Sequence, residues 1–321
     1  MKCIFISILF LLCLANFTVF PQTFCQNSIV NSTAGNVEKY VYKQYTSEKG
    51  KEKQLYIGLV RPIDDLPNKK RPLIIGVHGG GFVNFCPFEP CYALYNERIL
   101  TPNFTAHGFI TASVQYRLTS PLDFRPPKIN DEILKETEYK AVQDMRAAIR
   151  FIFENAEKFG VDKENVFLIG TSSGAITVLN AAYLDQEEVP KDLFAKYGGL
   201  EKKEKIRGVI SLSGALYDLS YLDGDRDDDQ IPLMIVHGTE DSVVPIDKGF
   251  YLGMKHLTPV FGGRAIFNRA QKNRIPAKAF FYDFGHAYPE KFLSDIFKNA
   301  NDFIRQNLTC ATGNKSVITA K

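Results

Sequence analysis

Between Asn165 and Ala182 one apolar run breaks on a short glycine–serine turn and a second follows at once. Asn165-Val166-Phe167-Leu168-Ile169 reads as a strand of a parallel sheet buried on both faces. Gly170-Thr171-Ser172-Ser173-Gly174 is the turn, and Ala175-Ile176-Thr177-Val178-Leu179-Asn180-Ala181-Ala182 reads as a buried helix. A serine at so sharp a strand-to-helix turn is held under strain, and Gly170 and Gly174 omit the Cβ atoms that would collide there. The turn lifts the Ser172 hydroxyl clear of the sheet and aims the first helical amides at the same point. A helix N-terminus favours negative charge, which suits an attacking oxygen and the oxyanion it creates.

That turn sits in a chain of ordinary apolar content and low net charge. Its 321 residues and 45% apolar content suit a single α/β domain with a sizeable core. Net charge is only +3, and no basic block is interleaved with aromatics, so nucleic acid is not expected as a partner. Lys2 precedes the apolar stretch Cys3–Ala15, too short to span a bilayer and suited to a secretory signal. Cleavage after Ala15 or near Cys25-Gln26 both fit. The expected division is residues 1–25 as leader, 26–307 as the folded domain and 308–321 as a loose tail. Export to a secreted or periplasmic location follows, with no membrane span after leader removal.

An oxidising compartment favours closure of Cys86-Pro-Phe-Glu-Pro-Cys91, although Cys25 and Cys310 keep three pairings open. Asn31, Asn103, Asn307 and Asn314 each begin an Asn-x-Ser/Thr pattern, relevant only in a source that glycosylates. Metal-ligand spacing is absent, so neither a metal nor another cofactor is expected.

Tyr40–Tyr45 and Gln54–Val60 alternate and read as an antiparallel hairpin. Leu73–Val77 is a buried strand that runs into His78-Gly79-Gly80-Gly81-Phe82. Further strands are expected over 109–117, 206–214, 232–238 and 279–284. Helices are expected over about 136–159 and 289–306, with weaker helical character over 92–107. Residues 184–205 read as a charged insertion or small cap. Asp223–Gln230 is an acidic loop without the ordered spacing of a calcium loop. Alternating strands and helices imply an α/β fold: a mostly parallel sheet, helices on both faces and an antiparallel N-terminal edge. In such sheets chemistry gathers at the carboxyl ends of strands. His78, Ser172, Asp241 and His286 all fall just past such ends.

A serine hydroxyl needs a base. Of five histidines only His286 follows the last strand, so it is the expected base. Asp241 is the expected acid, with Glu240 and Asp247 as rivals. The glycine run after Val77 leaves amides uncovered, and an oxyanion hole fits it better than a phosphate cradle. Backbone amides of Gly80, Gly81 and Ser173 are the candidate donors.

These stretches resemble the α/β-hydrolase superfamily, within its carboxylesterase and lipase-like branch. The matching segments are His78-Gly-Gly-Gly-Phe82, Gly170-Thr-Ser172-Ser-Gly174, His237-Gly-Thr-Glu-Asp241-Ser-Val-Val-Pro245 and Gly285-His286. Gln143-Asp144-Met-Arg146 onward is also similar to secreted esterases, including those that remove acetyl or feruloyl groups from polysaccharides. The resemblance implies an α/β-hydrolase fold and a Ser172–His286–Asp241 triad. It also implies cleavage of short-acyl or carbohydrate-linked esters. A peptidase of the same fold and an inactive binding module are the competing readings.

Overall fold

In the computed structural model, which describes residues 32–63, 70–83, 90–120, 128–223 and 230–309, the apolar runs become the inner strands of one eight-stranded sheet. The strands are β1 (Glu38–Thr46), β2 (Glu52–Val60), β3 (Arg71–Val77), β4 (Ile110–Val114), β5 (Val161–Thr171), β6 (Gly208–Leu212), β7 (Leu233–Gly238) and β8 (Ala277–Tyr282). Their order across the sheet is β1-β2-β4-β3-β5-β6-β7-β8. β1 pairs antiparallel with β2, and β2 with β4. Every other neighbouring pair is parallel. The leader, Cys86, most of the acidic loop and the tail from Cys310 lie outside the described residues.

Two-residue alternation splits each inner strand between two cores. Ile75, Leu168, Val209 and Ile235 face one side, packed with α1 (Asp131–Glu154), α2 (Ser173–Tyr183) and α4 (Gly263–Lys272). Ile74, Phe167, Ile210 and Met234 face the other, where α5 (Glu290–Asn307) contributes Ile296 and Phe303. Both faces are thus covered, which is why these strands read as unbroken apolar runs.

Helix α1 begins five residues before the expected 136, because Asn130 caps it. The Asn130 side chain accepts a hydrogen bond from the Ile133 amide at 2.9 Å. Acidic residues in that first turn hide the apolar period in the sequence. The helix ends at Glu154, and a short turn, Ala156–Phe159, runs to Gly160. Residues 91–107 are broken into short α, π and 3₁₀ turns rather than one helix.

Residues 184–205, the expected insertion or small cap, lie against α1. They carry a short helix, α3 (Lys191–Tyr197), and Leu184, Val189 and Leu193 pack beside Tyr139 of α1. The expected tip of the 206–214 strand is also shorter, because Ser213 turns to φ 55°. Asp144 on α1 is fully buried and holds three elements together. It accepts from the Arg117 amide at 2.8 Å and pairs with the Arg117 guanidinium at 2.8 Å and with Lys43 at 2.7 Å. The 143–150 stretch is therefore scaffold. Among the described residues no helix is long and apolar enough to cross a membrane.

Candidate active site

The turn between β5 and α2 places Ser172 at φ 54°, ψ −121°, a backbone region that side chains avoid. A Cβ on Gly170 would lie 2.2 Å from the Gly174 carbonyl oxygen, and one on Gly174 would lie 2.1 Å from that of Val77. Only glycine fits at either position. The Ser172 amide donates to the Leu212 carbonyl at 2.7 Å, which pins the strained turn to β6.

Strands β7 and β8 deliver the other two groups. Asp241 lies three residues past β7, and His286 four residues past β8. His286 Nδ1 is 2.8 Å from Asp241 Oδ2, and His286 Nε2 is 2.8 Å from Ser172 Oγ. Ionised Asp241 can only accept, so Nδ1 carries the proton and Nε2 accepts from the serine hydroxyl. The other carboxylate oxygen of Asp241 accepts from the Val243 and Val244 amides, each at 2.9 Å. Burial pushes the Asp241 pKa up. Hydrogen bonds from His237, His286 and the Val244 amide outweigh that and hold the carboxyl well below the usual carboxylate range. The rivals stand apart: Glu240 is exposed, and Asp247 pairs with Arg264 at 2.8 Å.

His237 and His78 have structural partners. His237 Nδ1 accepts from the Gly263 amide at 3.2 Å, so Nε2 is the protonated nitrogen. That nitrogen lies 3.0 Å from the Val244 carbonyl and 3.4 Å from Asp241 Oδ2. His237 therefore supports Asp241 from below. His78 donates from Nδ1 to the Gly79 carbonyl at 2.7 Å, and burial brings its pKa down to about 4.

The glycine loop turns through positive φ at Gly80 (114°), Gly81 (61°) and Phe82 (62°), and Val83 N–H to Gly80 O at 3.1 Å closes it. Tyr116 joins this loop to the start of α2: its hydroxyl donates to the His78 carbonyl at 3.0 Å and lies 3.3 Å from Ser173 Oγ. Among the described residues, the amides of Gly80, Gly81 and Ser173 donate no hydrogen bond. Gly81 and Ser172 line the same cleft, of about 60 Å³, with apolar walls from Phe82, Ile129, Leu134 and Val244. A larger groove of about 300 Å³ lies against α1 beside Lys43 and Arg150. Its charges are already paired, Lys43 with Asp144 and Arg150 with Glu154 and Glu201.

The sequence model of the BD-FAE family matches residues 64–231, a little over half of the chain. The chain belongs to the BD-FAE family. That BD-FAE span holds the glycine loop and Ser172, whereas Asp241 and His286 lie beyond its end. A probable carboxylesterase 1 of Arabidopsis thaliana is 30% identical over 183 residues, 54% of this chain. The match spans about half the length of that protein, 51%. Among solved structures, esterase 2 of Thermogutta terrifontis phosphorylated by paraoxon superposes with a TM-score of 0.57 at 17% identity. That superposition covers 84% of this chain and 94% of the esterase. An α/β-hydrolase enzyme from a deep-sea metagenome superposes with a TM-score of 0.51 at 14% identity, covering 84% of this chain and 98% of its own. The fold of this BD-FAE member is the α/β-hydrolase fold.

Two groups around the site gave no signal in the sequence. Tyr288, two residues past His286, donates to Ser213 Oγ at 2.7 Å and ties the histidine loop to the end of β6. Glu138 is buried behind Tyr251, a wall residue of the cleft. Burial raises its pKa to about 8, against the weaker opposing effects of the Tyr251 and Tyr217 hydroxyls and Lys135. Among the described residues its Oε1 has no hydrogen-bond partner. The folded-state pKa lies above the unfolded value of 4.5, so the stability this group contributes is complete below 4.5 and is lost as pH rises towards 8. The loss is ~1.4 kcal/mol per pH unit within that window. Glu138→Gln cannot ionise, so its melting temperature should gain on the wild type steadily from pH 5 to pH 8. Parallel melting profiles for the two proteins would show that Glu138 does not titrate there.

Cys91 is disulfide-bonded. Its expected partner, Cys86, lies outside the described residues. Among the described residues no group of three His, Cys, Asp or Glu side chains could hold a metal ion.

Proposed function

We propose that this chain is a secreted serine esterase that cleaves short-acyl or carbohydrate-linked esters through a Ser172–His286–Asp241 triad. The observation that carries the reading is the continuous relay from Ser172 Oγ to His286 to Asp241, each link 2.8 Å. The carboxylesterase and esterase names of the relatives agree with it.

In the first step Ser172 Oγ attacks the ester carbonyl carbon as its proton passes to His286 Nε2. The carbonyl oxygen becomes an oxyanion, with the Gly80, Gly81 and Ser173 amides as its donors. The intermediate collapses, the carbon–oxygen bond to the alcohol breaks, and His286 returns its proton to the leaving oxygen. An acyl ester of Ser172 remains. In the second step His286 takes a proton from water, hydroxide adds to the acyl carbon, and the Ser172 bond breaks with the proton restored to Oγ. Asp241 holds the imidazole in the required tautomer and stabilises its cation. The His286 side chain keeps 24% of its surface exposed, which leaves the water a route.

Short acyl groups fit the reading because the cleft beside Ser172 holds only about 60 Å³. Export rests on the Cys3–Ala15 leader pattern, and the Cys91 disulfide is consistent with an oxidising compartment. A series of p-nitrophenyl esters tests the substrate class. Acetate and butyrate should be hydrolysed with kcat/KM at least about 10-fold above laurate, since each methylene misfit costs about that much. Preference for laurate would contradict the short-acyl assignment, and inertness towards every ester would contradict the esterase reading itself.

A further inference from the structure

Backbone strain in this protein collects around one cleft. Among the described residues five non-glycine residues have positive φ: Phe82, Ser172, Ser213, Leu252 and Arg274. Phe82, Ser172 and Leu252 all line the cleft. Strain in the elbow serves the nucleophile. Leu252 has no such reason. It occupies φ 53°, ψ 23°, followed by Gly253 at φ 68°, and Met254 N–H to Tyr251 O at 3.0 Å closes the four-residue turn. Two successive left-handed residues make this a turn of the I′ type, whose first central position favours Asn, Asp or Gly. A leucine there is held at a cost, with its amide bonded to the Val243 carbonyl at 2.8 Å. Its side chain gains little burial in return, being 56% exposed. An observed outlier of this kind at a cleft points towards function.

The position says what the side chain would meet. Ile129, Leu134 and Val244 wall the cleft in its depths, at 3%, 3% and 2% exposure. Leu252 stands at the open end of the same apolar wall. With only about 60 Å³ of space beside Ser172, an acyl group of two carbons would fill the buried part, and the outer carbons of a longer one would meet Leu252. We propose that Leu252 is a specificity-determining residue whose side chain covers the outer carbons of the substrate's acyl group. This inference rests on the esterase reading above.

Leu252→Asn tests it, because asparagine suits the turn and removes the apolar contact. The melting temperature should hold or rise. The kcat/KM for p-nitrophenyl acetate should fall about twofold and that for the butyrate about tenfold, so the butyrate-to-acetate ratio drops about fivefold. A set of acetates with different alcohols should keep its wild-type order. An unchanged butyrate-to-acetate ratio would overturn the proposal, and so would a shift confined to the alcohol series. Hydrolysis by the wild type separates the two readings: an inactive wild type refutes the esterase, and an active one with an unchanged variant ratio refutes only the role of Leu252.

Discussion

Ser172→Ala should lower kcat by about 10⁴–10⁶-fold on any ester the wild type hydrolyses, because the nucleophile and its base act as one unit. The fold should survive. Alanine keeps the Cβ and occupies the same backbone at φ 54°, so the strain is inherited rather than altered. The Leu212 bond to the residue-172 amide does not involve the side chain. Ser172→Gly, equally inactive, should be more stable than the alanine variant by about 1 kcal/mol, since glycine alone tolerates this region freely. Steady-state rates and thermal melts of the two variants check both statements. Substantial turnover in Ser172→Ala would move the nucleophile elsewhere, and equal melting temperatures would mean the turn stores no strain.

Asp241→Asn should lower kcat by about 10⁴-fold and also cost stability, because the bonds that favour the ionised carboxyl are weakened. The reason lies in how its two oxygens are used. One accepts the Val243 and Val244 amides, and the asparagine carbonyl can take over that role. The amide nitrogen must then face His286 Nδ1 as a donor. The imidazole is forced to accept at Nδ1 and to carry its proton on Nε2, pointing at Ser172 Oγ. It can no longer take the serine proton. Asp247→Asn is the matched control, since Asp247 pairs with Arg264 on the surface and should change kcat by less than about twofold. A loss below tenfold in Asp241→Asn would show that another group orients the histidine.

How much of this was legible in the sequence follows from what local pattern encodes. Ser172 and its two glycines could be read because the elbow is compact in sequence, although only the Gly170 clash, with the Gly174 carbonyl, is local; the Gly174 clash is with the distant Val77 carbonyl. Asp241 and His286 could be placed because strand ends share one rim of a parallel sheet, and each lies a few residues past a predicted strand. The antiparallel edge was also plain in the sequence alternation of these segments, although in the fold only β1 alternates in burial, while β2 is buried through its second half. Other features depend on contacts that sequence spacing does not carry. The Asn130 cap was lost among charged neighbours, so α1 seemed to start later. The charge of 184–205 suggested an insertion or small cap, and its packing onto α1 through three apolar residues, Leu184, Val189 and Leu193, could not be read from that charge. His237 and Tyr116 are fixed by partners 26 and 57 residues away. Leu252 gives no sign of its left-handed backbone, because nothing in the side chain favours that conformation.

Reaction with a fluorophosphonate probe, followed by mapping of the modified residue, tests the triad most directly. The probe reports an activated serine whatever the substrate. The expected result is one label per chain, on Ser172, at a rate that falls by orders of magnitude in Asp241→Asn. Folded protein that hydrolyses esters but carries the label on another residue, or carries none, would contradict the account.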